Sequence, residues 1–224
     1  MPPEASDPRI RRVLSRSTLR QLLEPFGLNL EPSQEDCLLT YLELLLRWNS
    51  RINLVGPATA EECVSRHFAE SLHLSRYLNL HGRLLDIGSG AGFPGLALKI
   101  VQRDLAVTLL EPVAKKRAFL KEAARACQMS SVEVLPDRVD VFANRLGHPA
   151  FDFVTARAVG GMRELVSYSA MCLKQNGFLC LWIGRGQSAN LLTLEADFDW
   201  REPLALPLSR SREIWVGRLR KGIE

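Results

Sequence analysis

A glycine-rich segment, LLDIGSGAGFPG at residues 84–95, constrains the fold more than any other feature of the chain. A short apolar run precedes its glycines, and an apolar stretch of helical character follows Gly95. Glycine is needed where a backbone turns tightly or approaches a ligand too closely to leave room for a Cβ atom. A helix that begins at such a turn presents free N–H groups to an anionic part of the ligand. The segment therefore predicts a strand–loop–helix unit that binds a nucleotide-type cofactor.

The residues after Gly82 alternate between short apolar runs and helical stretches. Such alternation is typical of a mostly parallel sheet covered by helices on both faces, the doubly wound α/β class. The predicted strands are 84–87, 106–110, 132–135, 151–155 and 178–183, and the predicted helices lie near 96–101, 115–127, 139–145 and 162–173. A helix near 188–196 and strand-like runs at 200–206 and 214–219 follow, and the short link between these two runs favours a C-terminal antiparallel hairpin.

The part of the chain before Gly82 has helical periodicity and no strong strand pattern. Ser33 is predicted to cap a helix that runs to Trp48, because acidic residues in its first turn are followed by leucines at helical spacing. Thr59 and Glu62 form a T-x-x-E capping box for a later helix that ends near Leu80. We therefore divide the chain into a flexible basic leader at 1–17, a helical N-terminal cap at 18–81 and the α/β domain at 82–224.

Composition excludes several classes of protein. The chain has 224 residues, of which 46% are hydrophobic and 24% charged, and this excludes intrinsic disorder and fibrous repeats. No apolar run is long enough to span a bilayer and the start lacks a signal-peptide core, so we expect a cytoplasmic protein. The five cysteines are odd in number and widely spaced, which argues against a disulfide framework and against a metal site.

The net charge of +4 is concentrated at the two ends of the chain. Residues 1–20 carry five arginines and two acidic residues, and residues 207–224 carry five basic and two acidic residues. Basic ends on a nearly neutral body favour a polyanionic partner such as RNA. Solvated basic tails without a partner are the alternative interpretation.

Two classes of cofactor fit the glycine loop. Gly90, Gly92 and Gly95 match G-x-G-x-x-G, and Glu111 follows about 20 residues later at a strand end, where a carboxylate accepts hydrogen bonds from ribose hydroxyls. Both NAD and S-adenosylmethionine contain that ribose. Asp86 precedes the first glycine and favours the positively charged end of a methionine group over a pyrophosphate. The length also leaves no second nucleotide-binding half, so S-adenosylmethionine is preferred and an NAD(P)-dependent oxidoreductase is the minor alternative.

The segments DIGSGAGFPG and LLEPVAKKRAFL closely resemble the bacterial ribosomal RNA small subunit methyltransferase G family, also called glucose-inhibited division protein B. The resemblance extends upstream to WNSRINLVG and RHFAESL, and downstream to LPDRVDVF, FDFVTARAVGGMREL and REIWVGRLRK, so that about residues 42–221 are covered. It implies a Rossmann-like class I S-adenosylmethionine-dependent methyltransferase. The implied reaction is methylation of guanine N7 at one loop nucleotide of 16S rRNA, in the isolated rRNA or in the small ribosomal subunit. We expect the enzyme to be a monomer.

The resemblance also implies roles for individual residues. Cofactor contacts are expected from residues of the glycine loop and of three later strand ends: Gly88, Gly90, Phe93, Glu111 at the ribose, Val139 and Asp140 at the adenine, and Arg157 at the junction of cofactor and substrate. Arg138 and Arg212 are expected to face RNA. Where family members often have a lysine–glycine pair, this chain has IGRG at 183–186, so Arg185 is expected to supply the cation.

N7 methylation fits the residues that are present. Guanine N7 has an available lone pair and no proton, so positioning of the two reactants suffices and no general base is expected. An arginine cannot act as a base at neutral pH, so Arg157 is expected to hold the cofactor carboxylate or a phosphate. His67 is interpreted as a structural residue. The alternatives left open are another RNA or small-molecule methyl acceptor and a non-catalytic RNA-binding module.

Overall fold

Eight strands form one sheet in the computed structural model, which describes residues 13–158, 160–187, 191 and 198–220. Their order is β3-β2-β1-β4-β5-β8-β6, with β7 paired to β8. Strands β1 to β5 are parallel to one another, and β8 is antiparallel to β5, β6 and β7. The strands are β1 Arg83–Ile87, β2 Ala106–Leu110, β3 Val132–Leu135, β4 Phe151–Arg157, β5 Leu173–Gly184, β6 Phe198–Trp200, β7 Leu204–Ala205 and β8 Arg212–Leu219. The predicted fold class, a mostly parallel sheet closed by an antiparallel hairpin, is confirmed.

The helices of the α/β domain cover both faces of this sheet. They are α5 Gly95–Val101, α6 Ala114–Ala126, α7 Val139–Leu146 and α8 Met162–Cys172. Apolar side chains of α5 and α6 belong to one core, together with Leu84 of β1 and Phe153 of β4. Side chains of α7 and α8 belong to a second core with Leu85 and Ile87 of β1. Because alternate residues of a strand point to opposite faces, Asp86 shares the face of Leu84, and Arg157 shares the face of Phe153.

The N-terminal cap packs on the α5 and α6 face of the sheet, because its buried leucines belong to the same core as those two helices. It comprises helix α1 at Arg16–Leu23, α2 at Pro32–Asn49, a short α3 at Ala60–Cys63, a π-helical segment at Val64–Ala69, a short α4 at Glu70–Leu72 and 3-10 turns at Glu24–Phe26 and His73–Arg76. The predicted capping box is present: Thr59 Oγ1 accepts from Glu62 N at 3.2 Å, and Glu62 Oε2 accepts from Thr59 N at 2.8 Å.

Several predicted boundaries are wrong. The last helical segment of the cap ends at Arg76, before the predicted end near Leu80, and the run predicted at 200–206 forms two separate strands, β6 and β7.

The starts of α2 and β5 also differ from the prediction. Helix α2 begins at Pro32 and its N-cap is Glu31, not Ser33. Proline is favourable at the first helical position because its missing N–H has no partner there in any case. Strand β5 begins at Leu173, directly after α8, because Leu173 already pairs with Phe151 of β4. The strand therefore starts five residues before its predicted start at residue 178.

Two arginines near the start of the chain are paired within the cap. Arg20 donates to the buried carboxylate of Glu35 through two bonds of 2.6 and 3.0 Å, and Arg16 donates to Asp36 at 2.7 Å. Arg16 lies within the segment 1–17 in which a basic leader was predicted, and Arg20 lies just beyond it; both belong to helix α1.

Residues 1–12 lie outside the described part of the chain, as does most of the helix predicted near 188–196. In the described ranges, no helix is long and apolar enough to cross a membrane.

Candidate cofactor and RNA site

The carboxylate of Asp86 lies beneath the glycine loop at the carboxyl end of β1. It is fully buried, its Oδ1 accepts from the hydroxyl of Thr155 on β4 at 2.7 Å, and its Oδ2 has no hydrogen-bond partner among the described residues. Burial raises the pKa of Asp86 to about 6. A buried carboxylate with an unpaired oxygen is energetically costly, and a cationic ligand above it reduces that cost.

The loop requires glycine for two reasons: some positions have a positive φ angle, and one position lies too close to a neighbouring side chain for a Cβ atom. Gly88, Gly90 and Gly92 have positive φ angles of 68°, 55° and 86°, a region that side chains rarely adopt. Gly95 begins α5 with an ordinary φ but lies against Asp86: a Cβ atom there would be 2.5 Å from Asp86 Cβ and 2.7 Å from Asp86 Cγ. The spacing of the glycines therefore brings the helix start directly onto the buried carboxylate.

Glu111 follows β2 and fixes the loop from the side. Its Oε2 accepts from Gly90 N at 2.8 Å and its Oε1 accepts from Val113 N at 2.8 Å, and the residue is 4% exposed. Each carboxylate oxygen has a second lone pair, so two ribose hydroxyls can still donate to it. Two backbone amides thus orient the carboxylate that is the predicted ribose partner.

A cavity of about 630 Å³ opens at the carboxyl ends of β1 and β2, on the face covered by α7 and α8. This volume lies within the range of about 300–1,000 Å³ that is usual for small-ligand pockets. Four of the predicted site residues line it: Gly88, Arg138, Val139 and Asp140. Other parts of its wall come from Ile87, Leu110, Pro112, Asp137, Gly160, Gly161, Glu164, Leu165 and Tyr168. The structure therefore brings the glycine loop and the Val139–Asp140 pair to one cavity.

Phe93 points away from that cavity, toward the N-terminal cap. Its ring stacks on His67 at a centroid distance of 5.2 Å and on Tyr41 at 5.9 Å, and it meets Phe68 edge-on at 4.9 Å. Burial, together with the charges of nearby arginines, lowers the pKa of His67 to about 3. His67 is therefore neutral throughout the physiological pH range and packs as an aromatic ring.

The hydroxyl of Tyr41 connects the cap to the glycine loop. Tyr41 is fully buried on α2 and donates to the carbonyl oxygen of Ala91 at 2.6 Å. Burial raises the pKa of this phenol well above its ordinary value, so the hydroxyl keeps its proton and remains a donor. Helix α2 thereby restrains the loop conformation.

We expect Tyr41→Phe to reduce the free energy of unfolding by about 1–2 kcal/mol, because the Ala91 carbonyl then lacks its buried donor. Cofactor affinity should fall several-fold because the loop is less restrained. Urea denaturation and calorimetric titration measure the two effects. Tyr77→Phe, at a position that is 50% exposed, is the matched control and should change neither. A Tyr41→Phe protein as stable as the wild type would contradict the assigned restraint.

The predicted arginines lie in three places. Arg157 and Arg212 meet at the buried carboxylate of Glu70, with Arg157 Nη2 at 3.0 Å and Arg212 Nε at 3.3 Å from Glu70 Oε2. Arg138 is exposed on the rim of the cavity, and its Nε lies 3.4 Å from Asp140 Oδ1. Arg185 lies 3.7 Å from Glu213 beyond the end of β5.

Several residues of the site escaped the sequence analysis. Thr155, Tyr41 and Glu70 act through contacts between segments that are 50 or more residues apart, which no local pattern shows. Glu164 and Tyr168 line the cavity from α8, but their spacing was interpreted only as that of a helix. One feature of the sequence could have pointed to Glu70: it lies within RHFAESL, a segment that carries the family resemblance.

Solved structures with the same fold define the class of protein. A S-adenosylmethionine-dependent methyltransferase from Aquifex aeolicus superposes with a TM-score of 0.53 at 14% identity, covering 67% of this chain and 89% of that one. A ribosomal protein L11 methylase from Lactobacillus delbrueckii subsp. bulgaricus gives a TM-score of 0.56 at 14% identity, covering 68% and 80%. The chain therefore has the Rossmann-like fold of class I methyltransferases.

Sequence comparison identifies the family within that class. The family model for rRNA small subunit methyltransferase G matches residues 34–210. The curated ribosomal RNA small subunit methyltransferase G of Syntrophotalea carbinolica is 34% identical over 92% of this chain and 98% of its own length. That of Chloroflexus aggregans is 36% identical over 91% and 90%. The chain belongs to the rRNA small subunit methyltransferase G family, which confirms the predicted resemblance.

Proposed function

We propose that this protein transfers the methyl group of S-adenosylmethionine to N7 of one guanosine in 16S rRNA. The observation that carries the proposal is family membership over residues 34–210. A glycine loop, the carboxylate of Glu111 bound to that loop and a cavity of suitable size at one edge of the sheet support it. The enzyme would act in the cytoplasm as a monomer, on the rRNA or on the small subunit.

The residues present fit the cofactor. S-adenosylmethionine supplies an electrophilic methyl group on a positively charged sulfur. In our assignment Glu111 accepts from the ribose hydroxyls, Val139 and Asp140 border the adenine, and Gly88 and Gly90 give the ligand close access to the backbone. The buried charge of Asp86 favours the cationic end of the molecule. Phe93 supports the loop from the cap side through its stacked neighbours.

The chemistry requires positioning more than proton transfer. Guanine N7 attacks with a lone pair and carries no proton, so no side chain needs to accept one. His67, held neutral against Phe93, then has a packing function and not a catalytic one. In this proposal Arg157 lies at the junction of cofactor and substrate, and Arg138, Arg185 and Arg212 contact the RNA.

Transfer of labelled methyl from S-adenosylmethionine to different RNAs tests the proposal. Small subunits isolated from cells without this enzyme should accept label in 16S rRNA. Large subunits, transfer RNA and small subunits that already carry the modification should accept none. Label in transfer RNA, or cofactor binding without label in any ribosomal RNA, would refute the assigned substrate.

The RNA contacts assigned to three arginines predict a salt-dependent affinity. With three phosphate contacts, the dissociation constant for small subunits should rise by about 20- to 40-fold between 50 and 200 mM salt, because each contact releases condensed counterions. Filter binding over this range measures the slope. Binding of S-adenosylmethionine alone, measured in the same buffers, is the control and should change little. A salt-independent affinity for subunits would contradict the contacts assigned to Arg138, Arg185 and Arg212.

A further inference from the structure

Glu70 is a buried carboxylate that holds two arginines, and none of the roles assigned above uses it. It is 2% exposed and lies in the cap, next to the π-helical segment Val64–Ala69. Its Oε2 accepts from Arg157 Nη2 at 3.0 Å and from Arg212 Nε at 3.3 Å, while its Oε1 accepts from Arg212 Nη2. One carboxylate thus joins the ends of strands β4 and β8 to the cap.

The surrounding backbone fixes this carboxylate in place. Trp182 of β5 donates from Nε1 to the carbonyl oxygen of Glu70 at 2.8 Å. Arg157 Nη2 donates at 2.6 Å to the carbonyl oxygen of Arg66, which belongs to the π-helical segment. Wide helical turns of this type are frequent at functional sites. Two acceptors of the cap therefore hold Arg157: the carboxylate of Glu70 and the backbone carbonyl oxygen of Arg66.

The cluster has an excess of positive charge. The positive charges of Arg212 and Arg66 both act on Arg157, whose only balancing carboxylate among the described contacts is Glu70, and His67 beside them is neutral. Nη1 of Arg157 is buried and has no hydrogen-bond partner among the described residues. A charge-assisted donor without a partner, in a cluster with excess positive charge, favours an anionic oxygen as the missing acceptor.

The position of the cluster connects it to the methyl-transfer site. Ala156, next to Arg157, pairs with Ile87, which is followed directly by Gly88 of the loop. Phe93 of the loop stacks on His67, whose neighbour Arg66 binds Arg157. The methylated guanine itself becomes cationic, so the positive cluster disfavours the base and suits a phosphate of the RNA backbone.

We propose that Glu70 is a positioning residue that holds Arg157 and Arg212 as a paired binding group for an RNA phosphate next to the target guanosine. This inference rests on the proposed function, because it requires RNA to be the substrate. Glu70 itself does not touch the RNA. Its effect is to fix the two guanidinium groups, of which Arg212 is 30% exposed and Arg157 14%, so that one phosphate can bind at the exposed edge of the pair.

Glu70→Gln tests this inference, because the amide retains one acceptor oxygen but not the charge that orients both arginines. We expect the KM for small subunits to rise about 10-fold with kcat changed less than about twofold, because a phosphate contact binds the ground state and the transition state equally. The dissociation constant of S-adenosylmethionine should stay within about twofold. The log–log salt slope of subunit binding should fall by about one, as for the loss of one phosphate contact.

Glu35→Gln is the matched control. Glu35 is also buried at 1% exposure and also holds two arginines of the cap, Arg20 at 2.6 Å and Arg16 at 3.8 Å, but it lies on α2 away from the cluster. This variant should lose a similar amount of thermal stability and keep the wild-type KM and salt slope. Glu70→Asp, which restores the charge, should recover part of the KM.

Three results would overturn the inference. A lower KM in Glu70→Gln would mean that Glu70 only reduces the local positive charge. A weaker affinity for S-adenosylmethionine with unchanged KM would identify the bound anion as the cofactor carboxylate. Equal changes in KM for Glu70→Gln and Glu35→Gln would mean a structural role alone.

If Glu70→Gln does not fold, a second variant tests the inference. Arg212→Gln should raise the KM about 10-fold, and an unchanged KM in this variant would equally overturn the inference. Failure of the wild-type enzyme to methylate any ribosomal RNA would instead refute the proposed function.

Discussion

Asp86→Asn is expected to weaken binding of S-adenosylmethionine by about 30-fold or more. The estimate follows from charge, since an attraction of about 2 kcal/mol, the order expected for two nearby unit charges at an effective dielectric constant of about 20, corresponds to about 30-fold in affinity. The amide retains the shape of the side chain and its acceptor for the Thr155 hydroxyl. Calorimetric titration of the two proteins at pH 8 gives the ratio of affinities.

The same substitution should change how stability depends on pH. The pKa of Asp86 is about 6 in the folded chain and 3.8 for an ordinary aspartate, so between these values the folded state binds more protons than the unfolded state. The contribution of Asp86 to stability therefore decreases by about 3 kcal/mol as pH rises from about 4 to about 6. His67, with its lowered pKa, acts in the opposite direction. The difference between wild type and Asp86→Asn isolates the contribution of Asp86.

Cofactor binding by the wild type should strengthen as pH rises through 6, because the ionised carboxylate is the form that attracts the cation. Asp86→Asn should lack this dependence. Asp152→Asn is a control at the opposite edge of the sheet, where the carboxylate binds Lys174 and the backbone of Arg83. It should lower stability and leave cofactor affinity unchanged. Wild-type affinity in Asp86→Asn would show that the buried charge has no function in binding.

Gly95→Ala is expected to reduce cofactor affinity by about 100-fold or more. The new methyl group would lie 2.5 Å from Asp86 Cβ, so either α5 or the carboxylate must move. Such overpacking typically costs about 1–3 kcal/mol of stability. The binding loss should exceed the stability loss, because the displaced atoms belong to the loop and to Asp86. Titration calorimetry and urea denaturation measure both quantities.

Gly56→Ala controls for the loss of a glycine as such. No heavy atom lies within 4 Å of the position that its Cβ would occupy, and Gly56 has no positive φ angle. Alanine there should be neutral or slightly stabilising, because it reduces the entropy of the unfolded chain. Normal cofactor binding by Gly95→Ala would show that the close approach of α5 to Asp86 is not required.

The parts of the fold that depend on local pattern were predictable. Patterns among neighbouring residues predict four features, and each is present: the glycine loop, the alternating strands and helices, the C-terminal hairpin and the Thr59–Glu62 capping box. The N-cap of α2 was predicted two residues too late, at Ser33 and not at Glu31, because Ser33 is a good cap in isolation whereas Pro32 is compatible only with the first turn.

The parts that depend on packing between distant segments were not predictable. Tyr41 reaches Ala91 across 50 residues and Glu70 reaches Arg212 across 142, and neither pair has a local signature. Phe93 shows the same effect: the resemblance implies that it contacts the cofactor, and only the structure shows that its ring packs among cap aromatics. Folding of the cap against the loop, and not the loop sequence alone, determines which side chains face the cavity.

The identity of the methylated atom tests the central claim most directly. After incubation of unmodified small subunits with the enzyme and S-adenosylmethionine, the 16S rRNA is reduced with borohydride and treated with aniline, which breaks the chain at 7-methylguanosine. Positioning of guanine N7 without a general base predicts cleavage at one nucleotide, and no cleavage when the cofactor is omitted. Methylation at another atom, recovered as a different nucleoside with no cleavage by aniline, would contradict the account.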